Sequence, residues 1–161
     1  MLEILRDELL GGLADWAQFE RVVIRLVAAM LIGGIVGYQR ERAQKPAGLR
    51  THMLVSLGMA VFVLGSAAAG MSPEALSRVI QGLAAGIGFI GAGAILKLRD
   101  EHQIEGLTTS AGIWATAAAG VAVGLGEIGI AFLSVVLALV ALAFLDSLEP
   151  NPNSQIGKGD R

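Results

Sequence analysis

The sequence predicts an all-α membrane protein, a compact bundle of about five transmembrane helices. Three observations point there. Hydrophobic residues fill 54% of the 161 positions and charged residues only 16%, against about 25% charged in soluble domains; mean hydropathy is +0.66. The apolar runs are long enough to cross a bilayer, and the charges collect in short segments between them. Within the runs small residues recur at every fourth position, a spacing that lets helix backbones approach closely in lipid. Three segments follow: an interfacial segment over 1–21, a transmembrane domain over 22–146 and a disordered cytoplasmic tail over 147–161.

The first twenty residues read as an amphipathic helix on a membrane surface. Leu2, Leu5, Leu9, Leu13 and Trp16 share a face, and Glu3, Asp7, Glu8 and Asp15 lie off it. Tryptophan suits the interface. The acidic start, M-L-E-I-L-R-D-E, is unlike the basic start of a cleavable signal peptide. The first span is Val22–Tyr38, with Arg25, Ala29, Gly33 and Gly37 on one stripe. Arg25 either faces the bundle or snorkels to the nearby surface.

Arg40, Arg42, Lys45 and Arg50 crowd the following loop against the single acid Glu41. The positive-inside rule makes it cytoplasmic, with the N-terminus outside and the C-terminus inside. The second span is His52–Gly70. The third contains Gln81–Leu96, Q-G-L-A-A-G-I-G-F-I-G-A-G-A-I-L, with five glycines: Gly82, Gly86, Gly88, Gly91 and Gly93. Each would cost roughly 1 kcal/mol against alanine in a water-exposed helix. In lipid, small residues on two flanks predict a central helix touching several neighbours. The competing reading is a broken helix whose free carbonyls line an ion path. Gly86–Gly91 also matches G-x-G-x-x-G, with Glu105 downstream, but a dinucleotide site needs a strand before it and a βαβ unit around it. The fourth span, Leu107–Leu125, has Gly112, Thr116, Gly120 and Gly124 on one stripe. The fifth, Ile128–Leu145, is rich in large aliphatic residues and reads as a peripheral, lipid-facing helix.

A-G-L-R-T (Ala47–Thr51) and E-G-L-T-T (Glu105–Thr109) are alike and offset by 58 positions, which also sets Gly33 on Gly91. Spans 1–2 and 3–4 therefore read as two copies of one helical hairpin in the same orientation. Gly48 and Gly106 would allow tight turns, and Thr51 and Thr108 or Thr109 would cap the helix starts. Two helix N-termini and Arg50 would then face the cytoplasm, a mouth suited to a lipid headgroup, a phosphate or an acidic partner. Simple capping beside a positive-inside arginine explains the same residues. At the outer surface Arg25, Arg78, Gln81 and Glu127 form either one polar cluster or four separate anchors.

Enzymatic chemistry finds no motif. His52 and His102 lack metal-ligand spacing, and neither a nucleophile elbow nor a phosphate-binding loop is present. The net charge of −2 points to no nucleic-acid partner, and the absence of cysteine excludes disulfides. The central parts of the spans contain no Asp or Glu, which Mg²⁺ usually requires.

The segments Arg25–Arg42, Ala47–Gly58, Ser77–Leu96 and Glu105–Trp114 together resemble the MgtC/SapB family of bacterial inner-membrane proteins. The motif residues carried over are Arg40, Gly48, Leu49, Arg50, Thr51, Arg78, Gly86, Gly88, Gly91, Gly93, Gly106, Leu107, Thr108, Thr109 and Trp114. The resemblance implies a non-enzymatic protein of the inner membrane. Its expected roles are adaptation to low magnesium and, in pathogens, survival in phagocytes. It would act on other membrane proteins, such as the F-type ATP synthase, or on membrane potential. The alternative is a transporter or channel for Mg²⁺ or another cation, with the Gly82–Gly93 helix lining the path. No cofactor is expected, and a homo-oligomer, a dimer first, is. Two departures stand out. Gln39 replaces a glutamate frequent in the family, and the chain ends soon after the fifth span, where virulence-named members carry a cytoplasmic domain.

Overall fold

A computed structural model describes residues 15–97 and 104–148, with positions 1 and 4. Of the expected interfacial helix over 1–20, positions 2–3 and 5–14 lie outside the described residues and 16–20 belong to the first helix; the centre of the second basic loop and the tail from 149 onward also lie outside them. Among the described residues are five helices: α1 (Trp16–Arg42), α2 (Leu49–Ala68), α3 (Pro73–Gly93), α4 (Leu107–Leu125) and α5 (Ile128–Leu148). Strands β1 (Leu96–Lys97) and β2 (Ile104–Glu105) form a short antiparallel ladder between α3 and α4. The chain is all-α, and α2, α3 and α4 are each long and apolar enough to cross a membrane.

Helix boundaries follow local chemistry. Helix α1 begins at Trp16, ahead of the expected Val22, because Asp15 accepts from Ala17 N–H at 3.4 Å. Trp16 stacks on Phe19 with ring centroids 5.4 Å apart. Ser72 caps α3 through Ala75 N–H, and Pro73 fills the first helical position, where a missing N–H costs nothing. Helix α4 ends at Gly126, whose φ of +95° is readily reached by glycine.

Helix α4, not the glycine-rich α3, is the centre of the bundle. It packs against all four other helices, whereas α3 packs mainly on α4 and less on α2. The α4 stripe Gly112, Thr116, Gly120 and Gly124 is buried along its length. A Cβ at Gly120 would stand 2.8 Å from Ser56 Cα and strike the Ser56 carbonyl; one at Gly124 would stand 2.7 Å from Val63 Cβ. Glycine here lets two backbones touch. The main core joins Ala29, Ile32 and Val36 of α1, Ala60 of α2, Ala119 and Val123 of α4, and Ala131 and Val135 of α5. Helix α3 instead buries only Ile87 and Gly91. At Gly82, Gly86, Gly88 and Gly93 nothing lies within 4 Å of where a Cβ would stand.

The hairpin repeat is visible in the contacts. Gly33 of α1 lies on the His52 backbone, and 58 positions later Gly91 of α3 lies on Ser110. Gly37 abuts Gly48 and Leu49, while their counterparts Ile95 and Gly106 abut each other. Gly48 and Gly106 both occupy the residue before the second helix of their hairpin. The copies differ in surroundings. Helix α2 is wedged between α1 and α4, while α3 stands at the edge.

Candidate functional site

The ends of α1, α2 and α4 meet at one rim, and one charge there, Arg40, turns inward. Arg40 continues the α1 stripe of Ala29, Ile32, Gly33, Val36 and Gly37, so the helix carries it into the bundle, where it is 1% exposed. Its Nη2 donates to Thr109 Oγ1 at 2.9 Å, fastening the end of α1 to the start of α4. A buried guanidinium is costly unless it is hydrogen-bonded, and Thr109 is one of its partners. Glu41 reaches the other way. Its Oε2 accepts from Leu49 N–H at 2.8 Å, so a carboxylate sits on the N-terminus of α2. That position is favourable because helix N–H groups and the helix dipole attract negative charge.

This arrangement corrects the expected threonine caps. Neither α2 nor α4 has a side-chain cap bond from its N-cap residue, which is Gly48 in one and Gly106 in the other. Thr51 is half-buried, Thr108 exposed, and Thr109 serves Arg40 instead. The α2 N-terminus is not an open anion mouth, since the chain supplies the anion. Arg42 and Arg50 remain exposed, with Arg42 over the Tyr38 ring at 5.1 Å.

Below the rim lies a buried polar seam that sequence reading missed. His52 is fully buried, and its Nδ1 lies 2.8 Å from Thr116 Oγ1. The Thr116 hydroxyl donates to Gly112 O at 2.9 Å. The hydroxyl has one proton for these two contacts, and which of Nδ1 and Oγ1 donates follows the imidazole tautomer. Ser56, one turn on, is also fully buried, and its Oγ makes no hydrogen bond among the described residues. The available signal was spacing: His52, Ser56, Ala60 and Val63 form the buried strip of α2. Gln39, where the family departure falls, is half-buried.

The outer-surface residues do not assemble. Arg25 turns to the bundle and donates from Nη1 to Gly124 O at 3.0 Å, a cation at the negative end of α4. Arg78, Gln81 and Glu127 are exposed. Among the described residues no hydrogen bond or ion pair joins these four. Trp114, 54% exposed, stands between two apolar cavities of about 150 and 230 Å³ beside α3 and α5. The Gly86–Gly91 motif falls inside a continuous helix and lacks the strand-to-helix turn a dinucleotide needs. Among the described residues no group of three His, Cys, Asp or Glu side chains is placed to hold a metal.

A family model for the MgtC family matches residues 26–151. Protein SrpB of Synechococcus elongatus is 40% identical over 146 residues, covering 84% of this chain and 79% of SrpB. Protein MgtC of Salmonella typhimurium is 40% identical over 119 residues, covering 74% of this chain and 50% of its own length. Protein MgtC of Brucella abortus is 36% identical over 133 residues, covering 83% of this chain and 55% of its own. The chain thus spans about half the length of these two MgtC relatives. No solved structure matches. The matched region contains α2, α3 and α4 entire, most of α1, and α5, and by it the chain belongs to the MgtC family of membrane proteins.

Proposed function

We propose that this chain is a non-enzymatic regulator in the bacterial inner membrane. It acts on other membrane proteins, and through them on membrane potential, during adaptation to low magnesium. The observation that carries this reading is the way the interior is closed. Gly33 and Gly37 lie on the α2 backbone, and Gly120 and Gly124 lie on Ser56 and Val63. The two helix pairs are therefore in backbone contact where a path through one protomer would run. The seam between them holds the buried guanidinium of Arg40, whose fixed positive charge opposes a cation there. Charges available to a partner, Arg42 and Arg50, stand exposed at the rim, where an acidic protein surface or anionic headgroups would meet them. The F-type ATP synthase is one candidate partner.

The cation-carrier alternative has less support. The Gly82–Gly93 segment is continuous helix at the bundle edge, so a path along its glycines would run between copies. The discriminating experiment is Mg²⁺ uptake into sealed proteoliposomes containing folded protein and a trapped indicator dye. The expected result is uptake no faster than in empty vesicles. Saturable uptake abolished by Gly88→Leu would replace the regulator with the carrier. In parallel, Arg50→Ala should weaken binding to anionic vesicles; unchanged binding would remove the basic rim from the reading.

A further inference from the structure

Helices α3 and α5 both pack on α4 and leave a trough between them. Its floor is the outward strip of α4, where Leu107, Ala111, Trp114 and Ala118 recur at helical spacing and are all exposed. The two apolar cavities beside Trp114 lie one on each side of this strip. The smaller reaches toward Ile80, Leu83, Ala84 and Ile87 of α3. The larger reaches toward Val135, Ala138 and Leu142 of α5. Trp114 and Ala118 line both, so the indole stands as a partition between them.

Three properties of the trough define what fills it. Its hydroxyls are engaged within the chain, Thr116 with His52 and the Gly112 carbonyl, Ser134 with the Ala131 carbonyl. A water there would lack the two to four polar partners it needs, and an empty void forfeits dispersion along its walls. The cavities are also narrow. One turn of a helix, 10–12 Å across and 5.4 Å long, fills roughly 400–600 Å³, more than the 150 or 230 Å³ of either cavity. Finally, Trp114 lies deep. It is two turns inside the 19-residue α4, about 10 Å into a span of about 28 Å, below the interfacial belt where tryptophan usually serves as an anchor.

We infer that the trough holds one diacyl phospholipid of the bilayer, astride Trp114 with a chain in each cavity. Alkyl chains are slender apolar rods that fit clefts open to the hydrocarbon. The two chains of one lipid descend side by side from one glycerol, as the two cavities lie side by side about one indole. The outer side of α5 makes the contrast. There Phe132, Leu133, Leu137 and Val140 project as large side chains, a surface for lipid in rapid exchange. Recognition in the trough is by the chains, so it is independent of the headgroup, of the basic rim and of what the protein regulates.

The chain has two tryptophans, so Trp16→Phe leaves Trp114 as the sole indole reporter. That variant, delipidated in detergent and titrated with a phosphatidylcholine brominated on both chains, should lose fluorescence along a saturable curve that ends at equimolar lipid. Phosphatidylglycerol brominated in the same way should give the same curve. Ala118→Phe in this background sets a ring where the two cavities meet. It should weaken binding about tenfold, the loss expected when roughly two methylenes leave an apolar site. Leu137→Phe, on the outer face of α5, should leave the curve unchanged. If Ala118→Phe does not yield monodisperse protein, Ala84→Leu, at an exposed position beside the α3 cavity, takes its place with the same expected direction. The inference is overturned if quenching rises in proportion to lipid without saturating, or if the filling variant titrates like its parent. It is also overturned if quenching requires an anionic headgroup and is lost in Arg50→Ala, or if a co-purifying protein shields Trp114 instead. Failure here leaves the regulatory reading untouched, because uptake and vesicle binding decide that separately.

Discussion

Helices α3 and α4 are similar in composition and opposite in use. Both are apolar and studded with glycines spaced for close packing. On α4 the glycines at 112, 120 and 124 face inward; the Ser56 backbone fills the space that a side chain would need at 120, and the Val63 side chain fills it at 124. On α3 the glycines at 82, 86, 88 and 93 face away from the bundle and touch nothing in the chain. Small-residue spacing therefore says that a helix is fit for close contact. Which helix it contacts, and whether that helix belongs to the same chain, depends on where the element stands in the bundle.

The sharpest way to break this comparison is to add a side chain on each helix. Gly120→Leu must displace the Ser56 backbone, and we expect a loss of about 3 kcal/mol or more, read as failure to purify a monodisperse protein. Gly88→Leu meets open space and should leave the thermal unfolding midpoint within about 2 °C. Equal damage at both positions would mean that the α3 face is buried in the folded protein. A second contrast lies at the basic rim. Arg40→Ala removes a buried donor from Thr109 and should cost about 1–3 kcal/mol, whereas Arg50→Ala, an exposed change, should stay within about 0.5 kcal/mol. Denaturant unfolding in detergent separates them. A smaller effect than at Arg40 is expected at Glu41. Glu41→Gln keeps the hydrogen bond to Leu49 N–H but loses its charge, for about 0.3–1 kcal/mol, and the loss should shrink with added salt. An effect as large as that of Arg40→Ala would mean that the carboxylate does more than hold the α2 terminus.

Much of the bundle was legible because its causes are local or periodic. Apolar length marked the spans, and the 58-residue offset marked a repeat whose equivalent contacts, Gly33 with His52 and Gly91 with Ser110, appear in the fold. The capping chemistry was misread for a physical reason. Threonine near a helix start is a good cap in isolation, but Glu41, eight positions upstream, is folded back onto Leu49 and occupies that end first. The inward turn of Arg40 was hidden by a rule that reads arginines by number and side of the membrane, and is silent about which way each one points.

The sequence by itself determined the all-helical class, the apolar spans, the basic rim and the tandem hairpin, because hydrophobicity, charge and glycine spacing act along one helix at a time. Tertiary structure alone decided that α4 is central and α3 peripheral. It also decided that His52 meets Thr116 across 64 positions and that four α3 glycines face out. Those outcomes depend on which faces of different helices are brought together, and a one-helix periodicity, identical for a buried stripe and an exposed one, contains no term for the neighbour.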